Sequence, residues 1–130
     1  MVKKQKNMEL YKKEEYYKII GICMEVHRIL GCGLDEIVYK DALEYEFKKN
    51  NIPFEREKEF EIKYKDVILP HKFYADFIVY NEIILEIKTA KTIGDEHIAQ
   101  TLNYINLSWN KLGIIVNFRN KSLEHKRIII

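Results

Sequence analysis

The chain is poor in the residues that break or cross-link a polypeptide. Its 130 residues include two prolines, five glycines and two cysteines. Nothing in it reads as a Pro/Gly-rich linker, a low-complexity segment or an internal repeat, so no boundary divides it. The two thiols, Cys23 and Cys32, have neither a CxxC spacing nor a Cys/His metal pattern. That excludes a zinc module and points to reduced thiols in a cytoplasmic protein. No apolar run nears the ~18 residues a membrane span requires. The basic N-terminus, MVKKQKNMEL, lacks the apolar stretch that follows in a signal peptide. A net charge of +2, from 22 Lys and Arg against 20 Asp and Glu, excludes a global basic field and leaves only a local basic face. There is no ordered aromatic platform for single-stranded bases either. What is present, 47% hydrophobic and 32% charged residues, is the composition of one globular domain spanning 1–130. Residues 1–8 are expected to fray.

Helical periodicity comes first. Tyr16, Ile19, Ile20, Cys23, His27 and Leu30 recur on one face between about Glu9 and Leu30. Gly31 and Gly33 end that helix, since a helix stop favours a left-handed residue. His27, on an otherwise apolar face, reads as a core histidine. Asp35 is the expected N-cap of a second helix reaching about Lys49, with Leu34 stapled against Tyr39.

The period then changes to two. Phe60, Ile62 and Tyr64 alternate with Glu61, Lys63 and Lys65, as in a half-exposed strand. A short strand, Val67–Leu69, is expected to end at Pro70, and Phe73–Val79 with Ile83–Lys88 to form a hairpin. A third helix runs from about Asp95 to Trp109, with Ile98, Leu102, Ile105 and Trp109 on its dry face. Leu112–Phe118 reads as a strand buried on both faces, and KRIII as a last short one. The order α-α-β-β-β-β-α-β-β predicts an α/β architecture, a mixed sheet with helices packed against it.

Within the hairpin, Asp76, Glu86 and Lys88 are embedded among Ile, Phe, Val and Leu. Strict alternation places Tyr74, Asp76 and Ile78 on one face, and Ile84, Glu86 and Lys88 on one face of the next strand. If Val79 pairs with Ile83 across a three-residue loop, Phe77 meets Leu85, Ala75 meets Ile87 and Asp76 meets Glu86. A two-residue turn would put the carboxylates on opposite faces. Side by side, two buried carboxylates need a cation between them. Lys88 supplies part of that charge, and hard oxygen ligands suit magnesium or manganese. The spacing Asp-x(9)-Glu-x-Lys alone also fits an ordinary ion-pair cluster at a sheet edge.

Further segments accompany it in order along the chain: EVHRILGCG, GLDEIVY with the form Gly-x-x-Glu-x-x-Tyr, YAD before EIK, HIAQTLNY with Gln-x-x-x-Tyr, and the closing GIIVNF. On these the chain resembles the GxxExxY family, assigned to the PD-(D/E)XK nuclease-like superfamily, from about Ile20 to the C-terminus. The resemblance implies a restriction-endonuclease-like αβββαβ core, with an extra helix in front and an extra strand behind. It implies a metal-dependent nuclease acting on nucleic acid, DNA before RNA, with Mg2+ or Mn2+ as cofactor. Asp76 and Glu86 would bind the metal with the backbone carbonyl of Ile87, and Lys88 would assist the attacking water. Gln100 and Tyr104 match the Gln-x-x-x-Tyr element. Ala75 replaces the proline of Pro-Asp, which is no ligand.

Glu36 is the expected helix glutamate of the site, with Glu46 and Glu25 as competitors. His97 shares a face with Gln100 and Tyr104 but is a weaker candidate. Phosphate contacts are sought among Lys91, Arg119, Lys121, Lys126 and Arg127, and among Lys3, Lys4, Lys6, Lys12 and Lys13. A homodimer would place two sites across two strands. The rival reading is a non-catalytic nucleic-acid-binding or interaction module on a nuclease scaffold.

Overall fold

The computed structural model describes residues 12–130. The expected fraying of residues 1–8, the helix start at Glu9 and the roles of Lys3, Lys4 and Lys6 lie outside them. Helix α1 spans Lys13–Leu30 and α2 Glu36–Lys49. Strands β1 (Phe54–Tyr64), β2 (Val67–Val79) and β3 (Ile83–Lys88) follow, then α3 (Asp95–Ser108), β4 (Leu112–Asn117) and β5 (Glu124–Ile129). The five strands form one sheet in the order β1-β2-β3-β4-β5. Only the β3–β4 pair is parallel. No helix among the described residues is long and apolar enough to cross a membrane.

The core αβββαβ order is therefore that of a restriction-endonuclease-like fold, with α1 in front and β5 behind. Helices α1 and α2 cover one face, where Ile19, Cys23, Tyr39, Leu43 and Phe47 pack on Phe77, Val79, Ile83, Leu85, Ile87 and Ile114. Helix α3 covers the other, with Ile105 against Ala75, Ile78, Ile84 and Ile115. Helix α3 lies close to β4. A methyl group added at Gly113 would stand 2.6 Å from Thr101 Cγ2, so only glycine admits the helix at this depth.

The turn between α1 and α2 is built as the glycines suggest. Gly31 and Gly33 take positive φ angles of 73° and 94°. Tyr39, fully buried and stacked on Phe118 at 4.5 Å, donates its hydroxyl to the Gly31 carbonyl and accepts the Leu34 N–H. The expected Asp35 side-chain cap does not form; Asp35 holds the N-cap position with its backbone carbonyl, which accepts from Val38. Tyr39→Phe should thus lower stability by about 1–2 kcal/mol. Thermal melts of the two proteins measure this, and equal midpoints would remove the pin.

Two strand expectations and one helix expectation need correction. Alternation begins at Phe54, because Arg56 and Lys58 occupy half-buried positions that an apolar pattern hides. Val67–Leu69 is no separate strand but the start of β2. The pairing shifts between Glu61↔Lys72 and Lys63↔Ile68, and Pro70 sits in that bulge, where no ladder hydrogen bond is required of it. Trp109 is not on the dry face of α3: it follows the helix with φ 63° and is 91% exposed. Buried Thr101 takes the inner position instead.

Candidate active site

The hairpin register is the expected one up to a point. Val79 pairs with Ile83 and Phe77 with Leu85, across a turn in which Tyr80 and Asn81 have φ of 55° and 63°. There the ladder stops, and Ala75 and Ile87 are not partners within it. Strict alternation also fails at this place. Ala75 and Ile78 both pack in the α3 layer, whereas Phe77 and Val79 face α1 and α2. In β1, opposite Asp76, Glu57 has a left-handed backbone with φ 52°. The pleat slips by one residue here, a local irregularity that re-aims side chains as bulges do.

At the slip, two carboxylates replace the missing ladder. The Asp76 N–H donates to Glu86 Oε2 at 2.7 Å, and the Ile87 N–H donates to Asp76 Oδ2 at 2.7 Å. Each strand's carboxylate thus accepts a backbone N–H of the other strand, and the carboxylates are fixed side by side. Glu86 is 3% exposed. Burial and the charge of Asp76 push its carboxyl up to about 8, against the Asp76 N–H, Lys88 and Lys40, which favour the ionised form.

Lys88, Gln100 and Tyr104 come together as their spacing suggests. Lys88 Nζ donates to Gln100 Oε1 at 3.1 Å, and Gln100 Nε2 donates to the Tyr104 hydroxyl at 3.0 Å. Tyr104 is stacked at 4.6 Å on Phe73, which stacks on Phe60. Burial and the charge of Glu86 raise its phenol further. The chain of contacts fixes an otherwise flexible lysine beside the carboxylates. The loop after Lys88 is anchored too. Buried Asn117 donates to the Ala90 carbonyl and to Glu124, and Glu124 accepts from Thr92 and from the Ile93 N–H.

Sequence reasoning missed Lys40. Its ammonium lies 2.8 Å from Asp76 Oδ1, 3.1 Å from Glu57 Oε1 and 3.6 Å from Glu36 Oε2, and the residue is only 8% exposed. Burial opposes its charge, but the hydrogen bonds and charges of Asp76 and Glu57 outweigh this and hold its pKa above the ordinary lysine value. Glu36 therefore reaches the site through Lys40. The only advance signal was the four-residue spacing of Glu36 and Lys40, which surface pairs share.

Other candidates lie elsewhere. Glu25 pairs with Arg28, Glu46 accepts from Asn50, and both line a groove between α1 and α2 apart from the strand carboxylates. His97 Nδ1 accepts the Gly94 N–H and closes the start of α3. His27 bonds the Asn120 carbonyl and packs near Phe118, half-buried, as a structural histidine. Lys12 pairs with Glu82, Lys13 lies over Tyr17, and the Arg127 guanidinium lies over Tyr16. Lys91, Lys121 and Lys126 are exposed. Arg119 lines a small cleft with Gly33, Leu34 and Thr89, just beyond Lys88.

An acidic pair on adjoining strands, a lysine two residues after the second carboxylate and an αβββαβ core now stand together. A family model described as the PD-(D/E)XK nuclease superfamily matches residues 13–128. The chain belongs to that superfamily. Membership supports a nuclease-like function, and the PD-(D/E)XK chain can be set beside a solved relative. A structure titled "Crystal structure of SSO0001" is 26% identical with a TM-score of 0.58, over 92% of this chain and 61% of that one. The chain thus spans less than two thirds of that protein's length. No curated protein matches it.

PD-(D/E)XK nucleases generally use divalent metals, and the residues here suit one. The donors are carboxylate oxygens, the hard ligands that magnesium and manganese prefer. Asp76 already holds a cation, the Lys40 ammonium, against Oδ1. A position that draws and dehydrates an ammonium has the negative potential a metal ion needs.

Proposed function

We propose that the chain is a metal-dependent nuclease that hydrolyses phosphodiester bonds of nucleic acid, DNA foremost. The observation that supports it is the interlocking of Asp76 and Glu86 through each other's strands, with Lys88 held beside them by Gln100. An apolar pair at these positions would continue the ladder without burying charge, so the carboxylates have a use beyond the fold. Asp76 and Glu86, with the Ile87 carbonyl, would hold the ion. A bound Mg2+ or Mn2+ supplies a water activated at neutral pH and offsets charge on the phosphate. Lys88 would direct the attacking water and meet the developing charge, with Gln100 aiming Lys88 and Tyr104 fixing Gln100. Glu36 acts through Lys40. Arg119, in the cleft beyond Lys88, is the basic residue best placed to meet a backbone phosphate.

Manganese calorimetry on the wild type and on Asp76→Ala/Glu86→Ala, followed by a nuclease screen, tests this reading. Saturable binding lost in a folded double variant, with metal-dependent cleavage by the wild type, is expected. A folded wild type that neither binds manganese nor cuts DNA or RNA in its presence would move the assignment to a non-catalytic module.

A further inference from the structure

The cation that the sheet and α2 build around Lys40 differs in kind from a surface ion pair. Three carboxylates from three elements surround one ammonium: Asp76 from β2, Glu57 from β1 and Glu36 from α2, at 2.8, 3.1 and 3.6 Å. The ammonium is withdrawn from water, since Lys40 is 8% exposed. Glu57 reaches it from a left-handed backbone at φ 52°, a conformation an L-residue in a strand seldom takes. The conformation does not shift β1 against β2, which pair in the same register on both sides of it, at Arg56↔Phe77 and Lys58↔Ala75. Asp76 has divided its carboxylate. Oδ2 takes the Ile87 N–H beside Glu86, and Oδ1 takes Lys40 on the opposite side.

If Asp76 and Glu86 hold a metal ion, the site has two cation positions sharing Asp76. One faces Glu86; the other, bounded by Asp76, Glu57 and Glu36, is filled by the side chain of the protein itself. We propose that Lys40 is a tethered cation that takes the place of a second divalent ion, so that the site binds one metal ion rather than two. The inference rests on the reading of Asp76 and Glu86 as metal ligands and deepens it. Lys40 repels a divalent ion from Asp76 Oδ1, and it leaves the face of Asp76 towards Glu86 as the place where one can bind. In the metal-free protein it also neutralises Asp76, which would otherwise stand unpaired beside Glu86.

Manganese titration by calorimetry and by the paramagnetic resonance of free Mn2+ decides it, on the wild type, Lys40→Gln, Lys40→Met and Lys40→Arg. Lys40→Gln keeps a hydrogen bond to Asp76 and guards against loss of fold in Lys40→Met. The wild type and Lys40→Arg are expected to bind one ion alike. Lys40→Gln or Lys40→Met is expected to bind a second ion, or the first about tenfold more tightly. Binding by the wild type with unchanged stoichiometry and affinity in a folded neutral variant would reduce Lys40 to a structural ion pair, leaving the metal-site reading intact. Two ions in the wild type would also overturn it. Binding only by the neutral variants would overturn it as well, because the wild type would then bind no ion rather than one. No binding by any of them overturns both this inference and the reading beneath it.

Discussion

Lys88→Ala is expected to bind manganese as the wild type does and to cleave DNA about 10³-fold more slowly, the size of effect that a positioned proton-transfer or charge-stabilising group has. The expectation combines position with sparseness of contact. Lys88 is the last residue of β3, and its backbone is held by the parallel pairing with Asn117. Its side chain spends itself on one neutral acceptor, Gln100 Oε1. A lysine that served as a fixed counter-charge would be tied to a carboxylate, as Lys40 is. Because Lys88 is no ligand in this scheme, its loss removes an interaction made with the reacting water and phosphate, so turnover falls while metal affinity holds. Gln100→Leu serves as the graded companion: it frees Lys88 without removing it, and should cost less than Lys88→Ala. Single-turnover cleavage at saturating manganese separates the two quantities. Equal rates for wild type and Lys88→Ala would remove the lysine from the chemistry, and a parallel loss of manganese binding would recast it as part of the electrostatic frame.

Much of this arrangement was legible before any coordinates, for reasons that also explain what was not. Helices α1 and α2 announce themselves through apolar residues at a period near 3.6, and the glycines between them occupy the left-handed positions that favour glycine. The apolar matching of Phe77 with Leu85 and Val79 with Ile83 fixes the hairpin register, since a one-residue slip would move one strand's set to the α3 face. Alternation then misleads at Asp76, because it assumes an unbroken pleat and the left-handed Glu57 breaks it. Lys40 was hidden for the same reason. In sequence it is one charge on a helix rich in charges. Only the slip in β1 and β2 brings Glu57, 17 residues away, and Asp76 to meet it. Arg56 and Lys58 masked the start of β1 in a subtler way: long basic side chains can cover apolar surface with their stems, so a half-buried position need not be apolar.

Glu86→Gln is expected to make the metal-free protein more stable at alkaline pH, by several kcal/mol or on the order of 10 °C in melting temperature. The sign follows from the direction of the shift. Burial raises the Glu86 carboxyl from an ordinary 4.5 to about 8, so the folded protein keeps a proton that the unfolded chain has already released. The stability this proton sustains is complete below about pH 4.5. It declines as pH rises through the window to about pH 8, after which folded and unfolded states are both ionised and the loss is full. Lys40 does not confuse the window, because its pKa is raised above the lysine range and its contribution is lost only at higher pH. Glutamine can still accept the Asp76 N–H and adds an amide donor beside the Asp76 carboxylate, so the variant keeps the contact and loses the titration. Thermal melts in a chelator between about pH 4.5 and pH 9 should show the wild type declining and Glu86→Gln nearly level, with the difference widening up to about pH 8 and constant above it. Superimposable profiles would mean that Glu86 ionises freely and that burial has not raised its carboxyl. With manganese the order should reverse: only the ionised glutamate is a good ligand, so saturating metal stabilises the wild type most where its apo form is weakest. A carboxylate that destabilises the empty protein and stabilises the loaded one is explained by the ligand it is kept for, not by the fold that holds it.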